Sequence, residues 1–297
     1  MTTTNNRVLH AQNSVINGVS AGGLVTASIF EGFDSVVSSP ADGLEMPTTD
    51  RFMKVVRGSM VSQDWVELLN IIQGTVGTFV FYEQESGATS YLKHTITEPV
   101  VHAATLDIPV KGFATCTWQF HCRPVADDDT FADMWTKLPG QAVPTAILSN
   151  RAVNITGDCM LASTPIPHVT GVTLNINGGL AVSGNDGALT NSGVDVVWGG
   201  NAINGTLTSQ DPNITQTLLD AALGDLIIPL TAAKGGLSPH VNQTLTIKQV
   251  EFISNDNSSN AGPGYSGQSL NWVGGVSGDK SITTATTNDN VITILDT

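Results

Sequence analysis

The sequence predicts a mainly β protein of two tandem, related β-sandwich or barrel domains, each with one short α-helix. Three observations predict it: a composition low in charge and high in Thr, Asn, Ser, Gly and Val, segments of strict apolar–polar alternation, and a motif that occurs once in each half of the chain. The boundaries they suggest are 1–125 for the first domain, 126–150 for a linker holding a short helix, and 151–297 for the second domain.

Composition comes first because it bounds the rest. The chain has 297 residues, of which 40% are hydrophobic and only 13% charged. That is enough apolar material for a real core. The charged share is about half the usual one. Long exposed helices need Glu, Lys, Arg and Ala, whereas β-branched residues with Gly and Asn suit strands and turns.

The net charge is −14, and it is shared evenly. Residues 1–150 carry 8 basic and 15 acidic side chains, and residues 151–297 carry 4 and 11, so each half has −7. Nucleic-acid binding rests on Lys and Arg neutralising phosphates, so this balance argues against it. An acidic surface can serve plain solubility or repel a polyanion. Residues 1–7 have no apolar region of the kind that marks a signal peptide. No segment approaches the ~18 apolar residues of a membrane helix. Cys116 and Cys122 lie in one predicted strand, about 20 Å apart, too far to bridge. Cys159 is the third cysteine, and reduced thiols formed in a cytoplasm are expected.

The clearest strand is 115–122, with Cys116, Trp118, Phe120 and Cys122 on one face and Thr117, Gln119 and His121 on the other. Further strands are expected at 55–61, 78–82, 91–96, 172–176, 194–198, 226–230 and 244–253. Asn17-Gly18, Asn177-Gly178 and Asn204-Gly205 are hairpin-turn signals. One helix is expected from Asp64 to Gly74, with Asp64 and Glu67 as a capping box. A second is expected from Asp211 to Gly224, with Pro212 at its first turn. A weaker helical pattern covers 128–138.

The approaches to the first two helices match. Arg57-Gly58-Ser59-Met60-Val61-Ser62-Gln63-Asp64 aligns with Asn204-Gly205-Thr206-Leu207-Thr208-Ser209-Gln210-Asp211 at an offset of 147, Gly58 to Gly205. Leu68, Leu69 and Gly74 then match Leu218, Leu219 and Gly224 at 150. Thr95-Ile96 matches Thr246-Ile247 at 151, and Trp118 is aligned with Trp272 at 154. The common order is strand, cap, helix, glycine, strand and tryptophan strand. Small steps in the offset fit one unit copied once with loop insertions, and the unit is too long for a solenoid repeat.

A β-sandwich or barrel with a short helix entered through Gly-x-hydrophobic-x-Ser-Gln-Asp resembles the tail tube proteins of long-tailed bacteriophages, whose fold the type VI secretion tube protein shares. The resemblance implies a structural virion protein, assembled in the bacterial host cytoplasm and located in the virion tail. It implies a major tail tube subunit whose stacked rings form a hollow conduit for DNA ejection. With two domains in one chain it implies trimeric, pseudo-sixfold rings. It implies no enzymatic activity, no metal and no cofactor. The implied partners are copies of the same chain, the terminator, tape measure and distal tail proteins, and double-stranded DNA that passes without sticking. No membrane partner is implied.

From this follow two sets of candidate residues beside the helix-junction residues Ser62, Gln63, Asp64, Ser209, Gln210 and Asp211. Glu83, Glu85, Glu98, Asp107, Asp225, Glu251 and Asp279 are candidates to line the lumen. The segment 31–50, rich in Gly and Pro, reads as a ring-stacking loop with Phe33, Val36, Leu44 and Met46 as contacts. A mobile surface loop is the plainer reading of that segment.

Other chemistry finds little support. Cys116, His121 and Cys122 do not converge on one side of a strand. Asp127-Asp128-Asp129 lacks the spacing of a calcium loop and suits a helix N-terminus. The histidines lack a nucleophile motif and the Gly pairs lack a phosphate-loop Lys. The competing readings are another β-rich virion protein, such as a head-decoration or tail-end ring protein, and a carbohydrate-binding adhesive module.

Overall fold

A computed structural model describes residues 7–9, 15–16, 19–20, 24–38, 48–63, 78–85, 89–122, 130–142, 152–184, 192–197, 203–211, 213–232, 242–258, 267–275 and 292–296. Strands dominate. In the first half they are β1 (Arg7–Leu9), β2 (Val15–Ile16), β3 (Val19–Ser20), β4 (Leu24–Ser38), β5 (Thr48–Ser62), β6 (Thr78–Glu85), β7 (Tyr91–Thr97), β8 (Pro99–Pro109), β9 (Thr115–Cys122) and β10 (Trp135–Gln141). The second half holds β11 (Ala152–Ile155), β12 (Cys159–Leu161), β13 (Thr164–Ile166), β14 (Val169–Asn177), β15 (Gly179–Gly184), β16 (Ser192–Val197), β17 (Ile203–Ser209), β18 (Gly224–Ala232), β19 (Gln243–Ser258), β20 (Gly267–Val273) and β21 (Ile292–Asp296). Two short helices are described, α1 (Phe131–Met134) and α2 (Ile214–Leu219).

All pairings among the described residues are antiparallel, and the two halves pair in the same order. In the first half β4, β5, β9 and β8 are neighbours, and a six-stranded sheet holds β10, β7, β6, β2, β3 and β1. In the second half β14, β17, β20 and the C-terminal part of β19 are neighbours. The N-terminal part of β19 pairs with β21 and β18, and β18 carries β11 and β12–β13. β8 pairs with β14, so the two four-stranded sets form one continuous sheet within a 13-stranded whole.

The registers also correspond. Ile29 faces Gly58 and Leu174 faces Gly205, so β4 relates to β14 by 145 residues and β5 to β17 by 147. A bulge interrupts the β4 ladder between Leu24 and Thr26 and the β14 ladder between Val169 and Gly171, again 145 apart. Another falls between Val101 and Ala103 and between Phe252 and Ser254, 151 apart. The corner where the chain leaves the outer sheet for the eight-stranded face has Glu98 at φ 48° in one half and Gln249 at φ 53° in the other. Both are left-handed, a conformation costly for a residue with a Cβ. At the second corner the Asp225 carboxylate accepts the Gln249 N–H at 3.2 Å.

Register also corrects the tryptophan alignment. Phe120 faces Gly58 and Val101, and Trp272 faces Gly205 and Phe252, so Trp272 corresponds to Phe120 at 152. Trp118 corresponds to Leu270. The error was a shift of two, which keeps a strand face and so is invisible to alternation. The glycines have a packing reason. A Cβ on Gly58 would lie 2.4 Å from the Ser28 carbonyl and 2.8 Å from the Phe120 ring; on Gly205 it would lie 1.9 Å from the Thr173 carbonyl and 2.4 Å from the Trp272 ring.

Several expectations change. Asn204-Gly205 is inside β17, and β14 and β15, on either side of Asn177-Gly178, do not pair with each other. The helix expected at 64–74 lies outside the described residues. α2 starts two residues beyond Pro212, because Asp211 first accepts the Asn213 N–H at 2.9 Å in a local turn. Gly224 opens β18 instead of ending a helix. Within 128–138, helix gives way to strand at Trp135, where β10 pairs with the open edge of β7. Tertiary pairing overrides the helical spacing there, and that part of the expected linker belongs to the six-stranded sheet. Segment 31–50 is not loop throughout: β4 and β5 pair out to Ser38↔Thr48, a long hairpin arm. Phe33 and Val36 lie on that arm; Leu44 and Met46 are outside the described residues.

The core lies on one face of the eight-stranded array. Met60, Leu106, Cys116, Trp118, Phe120, Leu174, Leu207, Leu270 and Trp272 are all buried there, together with Phe79 and Ile96 from the six-stranded sheet. Phe79 meets Trp118 edge-on at 5.5 Å. The thiols of Cys116 and Cys159 are pushed up to about 12, and that of Cys122 is also raised, in each case chiefly by burial. All three are free.

Candidate assembly face

Alternation turns every second side chain of those eight strands away from the core. Directly opposed partners trace rows across the sheet. One runs Thr26, Val61, Thr117, Thr105, Asn175, Asn204, Val273 and Glu251. The next runs Thr115, Asp107, Thr173, Thr206, Asn271 and Ser254. Thr, Ser and Asn predominate. Short polar side chains, Thr with its high strand preference foremost, make a smooth hydrophilic surface with few long charged groups.

The rows are cross-linked by hydrogen bonds. Thr105 Oγ1 donates to Asn175 Oδ1 at 3.1 Å, and Asn175 Nδ2 donates to Asn204 Oδ1 at 3.2 Å. Thr173 Oγ1 donates to Asp107 Oδ1 at 2.8 Å. Asn271 Nδ2 donates to Ser254 Oγ at 2.9 Å and to Asp256 Oδ2 at 3.3 Å. The first chain of bonds spans the β8·β14 joint between the halves.

Of the seven acidic candidates, Asp107 and Glu251 lie on this face. Glu83 and Asp225 do not. His94 Nε2 donates to Glu83 Oε2 at 3.0 Å in the six-stranded sheet, and Asp225 braces the Gln249 corner. Glu98 is the other corner residue, Glu85 ends β6, and Asp279 is outside the described residues. Asp256 belongs to the face and was not singled out by sequence; its place two residues past the Phe252–Ser254 bulge hid its direction. Arg57 is a cation of the same face, 5.1 Å above the Phe30 ring.

The junction residues are structural. Ser62 and Ser209 are fully buried. Ser209 Oγ donates to the Pro167 carbonyl at 2.9 Å and accepts the Asp211 N–H at 3.1 Å, tying the end of β17 to the turn before α2. Gln63 and Gln210 follow their strands, and Asp64 is outside the described residues.

A depression of about 470 Å³ on the face is lined by Ser28, Phe30, Arg57, His102, Gln119 and His121, among others. Among the described residues that line it there is no carboxylate. Burial lowers the pKa of His102. Among the described residues no cluster of His, Cys, Asp and Glu is arranged to hold a metal, and no helix is long and apolar enough to cross a membrane. Trp118 and Trp272 are buried, which removes them as sugar-stacking platforms.

Fold and face together define a β-sandwich protein organised around one continuous polar sheet surface. A family model described as phage tail tube protein matches residues 16–274, and the chain belongs to that family. It is therefore a structural component of the virion tail, which works by self-assembly and with other tail proteins. No curated protein matches the chain.

Proposed function

We propose that the chain is the major tail tube subunit, built from two tandem related tube domains, and that three copies close a pseudo-sixfold ring. Rings stack into a hollow conduit for DNA during ejection. The observation that carries this reading is the repeated strand order and register of the two halves, joined through β8·β14 into one sheet. A chain that already holds two equivalent wedges needs three copies where a single wedge needs six, and heterologous contacts close when the rotation permits.

The polar face lines the lumen in this reading. Asp107, Glu251 and Asp256 give it an acidic excess that repels phosphates, while the Thr and Asn rows offer few cations to grip them. The hairpin arm of β4 and β5 reaches toward the next ring. Terminator, tape measure and distal tail proteins are its partners in the tail. Assembly in the host cytoplasm suits the three free thiols. Electron microscopy of the purified chain tests this: rings or tubes with a central hole and threefold symmetry are expected. Compact monomers at high concentration, or rings without a hole, would overturn it.

A further inference from the structure

At one place on the polar face the two halves differ in charge. In the first half a row of opposed partners runs Phe30, Arg57, His121 and Val100. The corresponding row in the second half runs Asn175, Asn204, Val273 and Glu251. His102, the extra residue of the bulge between Val101 and Ala103, has Ile253 as its counterpart. Phe30, Arg57, His121 and His102 all line the depression of about 470 Å³. One position of the fold thus gathers an arginine and two histidines in the first half, and a carboxylate with neutral neighbours in the second.

We infer that this depression is a binding site for a phosphate group, held by the Arg57 guanidinium together with the side chains of His102, His121 and Gln119. The site stands on these residues alone. Two sources offer the same chemistry, free phosphate and the backbone of a DNA duplex, and only the second rests on the tube reading proposed above.

The geometry suits an oxyanion. Arg57 lies over the Phe30 ring at 5.1 Å, which orients the guanidinium while its N–H edge stays available for a bidentate contact. His121 is buried and His102 half-buried, so a ligand orders neither ring at the full entropic cost of a free side chain. The described lining residues include no carboxylate to neutralise the guanidinium. The Gln119 amide and the Ser28 and Ser59 hydroxyls add neutral donors to the same walls. That is more donors than the two oxygens of a carboxylate can use, and it fits the oxygens of a phosphate. The volume falls in the range of about 300–1,000 Å³ usual for ligand pockets.

The test uses the full chain, unassembled, at fixed pH and ionic strength. Inorganic phosphate is titrated in while the histidine ring signals are followed by proton NMR. The rings of His102 and His121, assigned from His102→Ile and His121→Val, are expected to shift, and that of His94 in the six-stranded sheet to stay. Arg57 is exposed, so Arg57→Gln leaves the core intact; it is expected to weaken phosphate binding at least tenfold. Arg57→Asn/His102→Ile/His121→Val, which copies the second half, is expected to abolish it. A short DNA duplex that moves the same rings and competes with phosphate identifies the DNA backbone as the source. A duplex that leaves them unmoved, while phosphate shifts them, identifies free phosphate. If chloride moves the rings as far as phosphate does, or if Arg57→Gln binds phosphate as tightly as the unmodified chain, the site is overturned. The tube reading fails separately, if the unmodified chain forms no ring or tube.

Discussion

The two halves solve one packing problem with different side chains. In the first half Phe120 lies over Gly58, with Met60 and Trp118 beside it; in the second, Trp272 lies over Gly205, with Leu207 and Leu270 in the matching places. The second half leaves less room: an added Cβ would come to 1.9 Å from a carbonyl oxygen there and 2.4 Å in the first half, and to 2.4 Å against 2.8 Å from the ring. The six-stranded side differs more. Glu83, His94 and Trp135 form a polar relay, with Trp135 Nε1 donating to His94 Nδ1 at 3.1 Å. By register, Leu230, Leu245 and Ile292 hold the same positions in the second half, all buried. The same backbone pairing thus accepts either a satisfied polar set or an apolar one, provided the set is complete.

The largest expected effect breaks the glycine comparison. Gly205→Ala should destabilise the subunit by about 3 kcal/mol, at the upper end of overpacking costs, because the obstacle includes backbone. Gly58→Ala should cost less. Denaturant titration of the unassembled subunit checks both, and a reversed order would overturn the comparison, since carbonyl and ring both come closer at Gly205. Next comes His94→Leu, which leaves Trp135 Nε1 and Glu83 without their recorded partner and should cost about 1–3 kcal/mol. The triple change Glu83→Leu/His94→Leu/Trp135→Ile copies the second half and should recover most of that loss; thermal melts of both variants decide it.

Trp272→Phe should cost under about 1.5 kcal/mol, since it copies Phe120 and removes a buried indole N–H that has no hydrogen-bond partner among the described residues. A drop comparable to Trp272→Ala would mean that the second half cannot use the first half's solution. The smallest effect is at the bulge, where His102 stands opposite Ile253 in the comparison. Burial holds its pKa below 6.5, so as pH falls through 6.5 the unfolded chain takes up the proton first. Stability should decline below that pH and be unaffected above it, and His102→Ile should flatten that part of the melting-temperature profile.

Alternation located 115–122, 172–176 and 226–230 because those strands bury one face and expose the other. It passed over β8, whose prolines and bulge at His102 break the period. Yet β8 is the strand that joins the halves. The acidic candidates illustrate the same limit. A carboxylate on a strand has one of two directions, and a single bulge reverses the assignment for everything beyond it, as at Asp256.

Sequence alone determined that this chain is β-rich, that its halves share a Gly-to-Asp motif, and that its charge is acidic and evenly distributed, because these properties depend on composition and on neighbours along the chain. Only the tertiary structure decided that Trp272 answers Phe120, that Trp135 belongs to a strand, and that β8 and β14 fuse the halves into one polar sheet. Those outcomes depend on register across strands, and register is fixed by which rings, glycines and bulges meet in space.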